Sequence, residues 1–325
     1  MDKILEVSNL EVEFQLHRKK FKVVEDISFS VNMGETLGVV GESGSGKSIT
    51  MLSIMGLLPW TARVTSGSVT FKGIDLLEDE NITKVRGKDI TMVFQDPMSS
   101  LNPSLKIKTQ LTEVLIEHEK LSFNDAYSRS LQMLNLVGMA DAKSVMERYP
   151  FELSGGMRQR VMIAMAMLCK PSLLIADEPT TSLDVTIQAQ ILELLRGLKE
   201  KFRTSVIFIS HDMRIISEIA DKVIVMYAGK IMEKSDRILF FKQPLHPYSK
   251  GLLMSVPDRK AGNSKRLYTI KGDPPNPTEF SKGCRFAPRC PYASKKCFEI
   301  SPPLHQVKSS FVSCWLYSHE RESVR

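Results

Sequence analysis

The chain has 325 residues, 42% hydrophobic and 25% charged, with a formal net charge of +7. That balance is ordinary for globular material, long enough for one large domain plus a smaller one, and it excludes a disordered chain. The longest apolar runs, Val206 to Ser210 and Val223 to Gly229, are strand-length and far short of the roughly 20 residues that span a bilayer.

The opening MDKILEVSNL lacks the apolar core and small-residue cleavage site of a signal peptide, so no export is expected. Residues 3 to 33 alternate apolar and polar positions, which predicts antiparallel strands joined by a basic turn near His17. ETLGVVG predicts a strand running into GESGSGKS, Gly41 to Ser48, and SITMLSIMGLL predicts a helix that Pro59 stops. A Pro and Ser opening, DPMSSLNPS, followed by helical periodicity predicts an inserted helical subdomain over about 98–165. A helix from Met157 to Cys169, the strand LLIAD, a helix from Val185 to Phe202 and the strand SVIFIS then restore strand and helix alternation. This implies a parallel sheet and an α/β core. Near Arg237 the alternation fades into a Pro-, Gly-, Lys- and Cys-rich tail, so the domains are expected at 1–236 and 237–325, the second a separate appended region.

Basic clusters at His17 to Lys20 and Arg259 to Lys271 read as solvated faces. With no base-stacking aromatic pattern or helix-turn-helix signal, no nucleic-acid partner is expected, and an anionic membrane leaflet is the more natural neighbour.

Three motifs and one histidine carry chemistry. In GESGSGKS, Gly41, Gly44 and Gly46, with Ser43 between them, let successive amides point into one concavity at a helix start, which suits a triphosphate. Lys47 is placed to reach the β and γ phosphates and the Ser48 hydroxyl to ligate magnesium. LLIADE sets Asp177 to support the magnesium shell and Glu178 to polarise an attacking water. His211, after SVIFIS, offers an imidazole that can accept and donate at a γ-phosphate. LSGGMRQR, Leu153 to Arg160, places Ser154, Gly155 and Gly156 at a helix start as a second phosphate cradle.

GESGSGKS, LSGGMRQR and LLIADE, in that order along the chain, resemble the ATP-binding cassette family, whose ATPases work as sandwiched pairs with ATP and Mg2+. The resemblance implies an ABC-type P-loop core with an N-terminal antiparallel β subdomain, the helical subdomain and the small tail. It implies that Ser154, Gly155 and Gly156 grip the γ-phosphate of ATP held by an opposing subunit. Gln95, in MVFQDP, resembles the family's glutamine loop, which contacts magnesium and water and senses the membrane partner. His211 resembles the switch histidine, and Ser182, Leu183 and Asp184 the loop between paired subunits. Phe14 best matches the aromatic that stacks on adenine, with Phe21 the alternative.

Cys284, Cys290, Cys297 and Cys314 crowd into the tail, while Cys169 reads as an inert core residue. Disulfides are the weaker explanation in a cytosolic chain, and the spacing lacks the close pair of structural zinc sites. A 4Fe-4S cluster, zinc and free thiols stand as the alternatives. HPYSKGLLMSVP, the Lys271 to Asp273 region and GCRFAPRCPYASKKC resemble the tail of the ATPase subunits of bacterial dipeptide, oligopeptide and nickel importers, some of which carry such a cluster. The resemblance implies a second ATPase subunit, related or identical, two membrane permeases fed by an extracytoplasmic solute-binding protein, and a peripheral place on the cytoplasmic face of the membrane. The alternatives are a soluble cassette ATPase in repair or translation, for which the span from Lys47 to Ser154 leaves little room, and a degenerate ATP-binding scaffold, against which the intact motifs argue.

Overall fold

The computed structural model describes residues 2–16, 19–181, 183–256 and 268–318. The basic turn expected at His17, the loop residue Ser182 and most of the Arg259 to Lys271 cluster lie outside them. The strands are β1 (Lys3–Leu16), β2 (Lys19–Asn32), β3 (Thr36–Val40), β4 (Ala62–Phe71), β5 (Ile74–Asp75) and β6 (Ile90–Val93), then β7 (Leu173–Asp177), β8 (Ser205–Ile209), β9 (Lys222–Tyr227), β10 (Lys230–Asp236), β11 (His305–Val307) and β12 (Ser310–Val312). The helices are α1 (Lys47–Ile54), α2 (Asp79–Val85), α3 (Pro97–Ser100), α4 (Ile107–Glu119), α5 (Phe123–Leu136) and α6 (Ala142–Glu147), then α7 (Gly155–Met167), α8 (Val185–Phe202), α9 (Met213–Ile219), α10 (Arg237–Lys242), α11 (Pro247–Met254) and α12 (Lys295–Glu299).

The chain divides into two compact units, one of residues 1–4, 31–35 and 78–209, the other of residues 5–30, 36–77 and 210–325. In the first, β6, β7 and β8 form a parallel run, with Leu173 opposite both Ile90 and Ser205. All residues of β6, β7 and β8 are buried, which is why these strands read as continuous apolar runs rather than as alternations. Helix α8 buries Ile191, Leu192, Leu195 and Leu198, a stripe at helical spacing, each side chain contributing roughly 1.5–3 kcal/mol. It begins on the Asp184 cap and ends at Arg203, whose backbone turns left-handed. The expected helical subdomain comprises α3 to α7, packed through Leu111 and Leu115 of α4, Met133 and Leu134 of α5, and Val161 of α7.

In the second unit β2, β1, β4 and β5 are neighbours in a four-stranded sheet, with β1 and β4 antiparallel. Parallel β3 and β9 carry β10, β12 and β11 as antiparallel additions. Strands from either side of residue 236 therefore share hydrogen bonds, Glu233 lying opposite Val312. Two boundaries differ from the sequence expectation. Helix α1 stops at Ile54, before Pro59, because Gly56 turns into left-handed backbone. Helix α7 starts at Gly155 rather than Met157, because Ser154 caps it. Among the described residues no helix is long and apolar enough to cross a membrane.

Candidate functional site

In the second unit the loop from Gly41 to Gly46 joins β3 to α1. At Gly41 a Cβ would lie 2.1 Å from the Met226 carbonyl oxygen, so the tight passage from strand to loop admits no side chain there. Gly46, with φ 95°, caps α1 in left-handed backbone, and the exposed Ser43 and Gly44 lie at the turn. Lys47 is 5% exposed, and its ammonium donates to the carbonyls of Gly41 at 2.8 Å and Glu42 at 2.9 Å. The Ser45 hydroxyl lies 3.3 Å from the same nitrogen. A cation seated within a loop of amides at a helix N-terminus is built to receive phosphate oxygens.

In the first unit β7 ends at Asp177, which is 5% exposed, and the chain turns sharply at Glu178, where φ is 47°. Left-handed backbone costs a non-glycine residue about 1 kcal/mol. The Glu178 amide donates to the Ile209 carbonyl at 3.1 Å, which anchors the turn beside β8. The Glu178 carboxylate accepts from the Gln95 amide at 3.2 Å and from the Thr181 hydroxyl at 2.9 Å. Gln95 is exposed and directly follows the exposed Phe94, just past the end of β6. Two neutral donors thus hold one carboxylate oxygen, orienting the group without neutralising it.

In the same unit Ser154 caps α7, its hydroxyl accepting from the Met157 amide at 3.3 Å. Ser154 and Gly155 are exposed, so the helix start presents its amides outward. Asp184 caps α8, accepting from the amides of Thr186 at 3.1 Å and Ile187 at 3.0 Å. His211, in the second unit, is exposed just ahead of α9, which Asp212 caps. Phe14 and Phe21 stack on each other with ring centroids 6.2 Å apart, so the two aromatic candidates form one half-buried surface.

The tail cysteines line one cavity of about 110 Å³, Cys284, Cys290, Cys297 and Cys314 together with Phe286 and Trp315. All four are free thiols. Burial pushes Cys284 up to about 11 and raises Cys290 and Cys314. Gly283 lets the two sides approach, since a Cβ there would lie 2.2 Å from the Cys297 carbonyl oxygen. Among the described residues no three His, Cys, Asp or Glu side chains converge closely enough to hold a metal ion. Cys169, apart from these, is half-buried, and burial with help from Glu119 raises it to about 11, a protonated and unreactive thiol.

Comparison with known proteins fits this geometry. Residues 24–181 match the ABC transporter family model, and residues 232–297 match the oligopeptide/dipeptide transporter C-terminal region. The oligopeptide transport ATP-binding protein AppD of Bacillus subtilis is 48% identical over 98% of both chains. The chain belongs to the ABC transporter ATP-binding proteins. OppD of Escherichia coli, an oligopeptide transport ATP-binding protein, is 50% identical over 94% of this chain and 90% of its own. DppD of Bacillus subtilis, a dipeptide transport ATP-binding protein, is 48% identical over 99% and 97%. Among solved structures, a dimeric ATP-binding cassette in a post-hydrolysis state with ADP and phosphate superposes with a TM-score of 0.65 at 26% identity, covering 72% of this chain and 98% of that one.

For an ABC ATPase, the geometry joins two of the sequence-chosen residues directly, Gln95 and Glu178, and sets Lys47 into the loop it was assigned to. Thr181 was not singled out from the sequence, although it stands three residues after Glu178. The contacts of Glu42, Tyr248, Arg285 and Arg289 are likewise not legible in the sequence. Their motifs were visible, but their contacts join positions some 200 residues apart, as between Glu42 and Tyr248, and no local pattern encodes such a pairing.

Proposed function

We propose that this chain is the ATP-hydrolysing, energy-coupling subunit of an importer for oligopeptides or dipeptides. Full-length likeness to oligopeptide and dipeptide transport ATP-binding proteins supports the substrate class. The observation that carries the chemistry is the Glu178 carboxylate held by Gln95 and Thr181.

In this reading residues 1–236 are the nucleotide-binding domain and 237–325 an extension. Gly41, Ser43, Gly44 and Gly46 present amides to the triphosphate, Lys47 meets its outer phosphates and Ser48 would ligate magnesium. Phe14 stacks on adenine, in company with Phe21. Asp177 and Gln95 would complete the magnesium shell, while Glu178 orients and polarises the water and His211 contacts the γ-phosphate. When bound, magnesium would neutralise charge on the β and γ phosphates as ADP leaves; the donor set of hydroxyl, amide and carboxylate oxygens suits such a hard cation.

The chain carries one copy of each motif, and the cradle of exposed Ser154 and Gly155 with half-buried Gly156 serves the nucleotide of a second ATPase subunit, which is a related but distinct chain. Asp184 carries the signal between the two. Two membrane permeases and an external solute-binding protein complete the assembly, and this subunit sits peripherally on the cytoplasmic face. The exposed Phe94 and Met98 on either side of Gln95 give the permease an apolar contact. Nucleic acid has no part in this assembly.

The four tail cysteines are read as the ligands of a 4Fe-4S cluster. A single zinc needs thiolates converging at about 2.3 Å. Four thiols set around one cavity suit a cluster that offers each a separate iron. When bound, the cluster would tie together the segments that carry Cys284, Cys290, Cys297 and Cys314. Iron and sulfide analysis of anaerobically purified protein is expected to find both elements; finding neither refutes the assignment.

Uptake of labelled dipeptide by the reconstituted assembly tests the function as a whole. ATP-dependent uptake is expected, and uptake of nickel in place of peptide overturns the substrate class.

A further inference from the structure

We propose that the C-terminal extension is a working part of the phosphate loop, and that Arg289 is a positioning residue for Lys47. The inference rests on reading Gly41 to Ser48 as the triphosphate cradle. Arg289 lies between Cys284 and Cys290 in sequence, and its side chain is only 7% exposed. Its guanidinium forms a two-pronged pair with the Glu42 carboxylate, at 2.6 Å and 3.2 Å. It also donates to the Tyr227 hydroxyl at 3.2 Å and to the carbonyl of Lys271 at 3.1 Å. Burial works against its charge, but the bonds to Glu42 and Tyr227 outweigh that and raise its pKa. The guanidinium is a permanent, oriented cation.

Glu42 is thereby held from three directions. Its carboxylate meets Arg289, its backbone amide donates to the Tyr248 hydroxyl at 2.8 Å, and its carbonyl accepts from the Lys47 ammonium at 2.9 Å. Tyr248 belongs to α11 and packs against Tyr227 and Phe286, with centroids 4.7 Å and 5.2 Å away. The residue that seats Lys47 is thus fixed by two side chains of the extension.

A second strut reaches the other side of the loop. Arg285, next to Cys284, is 4% exposed, bonds the Ala228 carbonyl and pairs with Glu25. The neighbouring Gly229 donates its amide to the Ser45 carbonyl at 2.9 Å. Ser45 in turn places its hydroxyl 3.3 Å from Lys47. Two arginines on the cysteine-bearing segment therefore brace two of the residues that hold the phosphate-binding lysine. A tail that only decorated the surface would have no buried charged pair on this loop.

The test is calorimetric titration of the full chain with magnesium ADP. Arg289→Gln is expected to weaken binding about tenfold, as for loss of a charge-assisted hydrogen bond. Glu42→Gln alone is expected to weaken binding similarly, and the Glu42→Gln, Arg289→Gln double variant to bind no worse than either single variant, a coupling in nucleotide affinity that a remote loss of stability would not produce. Tyr248→Phe, which removes only the hydroxyl, is expected to weaken binding about threefold, and it decides the matter if Arg289→Gln does not fold. Wild-type affinity in Arg289→Gln, or in Tyr248→Phe where the first variant cannot be made, overturns the proposal. Lys47→Ala separates the two layers: if it binds ADP like the wild type, the cradle reading has failed and the positioning role falls with it. If Lys47→Ala loses binding while Arg289→Gln keeps it, only the positioning role is refuted.

Discussion

The Gln95 side-chain amide donates to the Glu178 carboxylate at 3.2 Å, and Thr181 donates to the same oxygen at 2.9 Å. Glu178 stands in left-handed backbone at the end of a buried strand, so its carboxylate is aimed by main chain and side chains together. Replacing it with Gln keeps the size and both hydrogen-bonding positions but removes the base. Glu178→Gln is expected to bind ATP normally and to lower the steady ATPase rate of the assembled complex about a hundredfold or more. Normal hydrolysis by that variant removes Glu178 from the catalytic role.

How much of this was readable in advance depends on the range of the contact. The glycine-rich loop from Gly41 to Gly46, the buried strand ending in Asp177 and the helix from Val185 to Phe202 are local patterns, and each formed where its residues indicated. Glycine at 41 and the Asp184 cap are likewise short-range choices of backbone geometry. The pairing of β12 with β10, and the Arg289 to Glu42 pair, depend on tertiary closure over long stretches of chain. Residues 237–325 read as an appended tail because neither periodicity nor turn chemistry records such closures.

Gly41 tests whether the close approach of the loop to β9 is required. A methyl group there would lie 2.1 Å from the Met226 carbonyl and 2.7 Å from the Ser45 hydroxyl, and the carbonyl belongs to backbone that cannot swing away. Gly41→Ala is expected to cost on the order of 3 kcal/mol of stability and to weaken nucleotide binding. Chemical denaturation and ADP titration measure the two effects; an unchanged midpoint contradicts the stated packing.

Ser154 has two separable duties, since it caps α7 and is assigned to a partner's nucleotide. Ser154→Ala loses the cap and should lower the stability of the isolated chain by about 1 kcal/mol. Asn caps as well as Ser but presents an amide in place of the hydroxyl. Ser154→Asn is therefore expected to keep the melting temperature while the ATPase rate of the assembled complex falls about tenfold. If full activity survives Ser154→Asn, the hydroxyl is only a cap.

His246 makes the extension sensitive to acid. It is 1% exposed and caps α11, its Nδ1 accepting from the Tyr248 amide at 3.0 Å. Burial, aided by Lys250 and opposed by a hydrogen bond with the Ser313 backbone, lowers its pKa from 6.5 to about 3. The folded chain keeps the imidazole neutral while the unfolded chain protonates it, so its contribution is complete above about pH 6.5 and is lost as pH falls toward 3. Buried Glu233, which accepts from the His246 amide at 2.8 Å, acts in the opposite sense. Burial raises its pKa, so its contribution is present at low pH and is lost as pH rises through the folded value. His246→Asn retains a capping acceptor but cannot titrate. Unfolding free energies from chemical denaturation between pH 4 and 7 are expected to fall more steeply with acid in the wild type than in His246→Asn, the difference reaching on the order of 3 kcal/mol. Parallel profiles for the two proteins would show that the imidazole is already solvated in the folded chain.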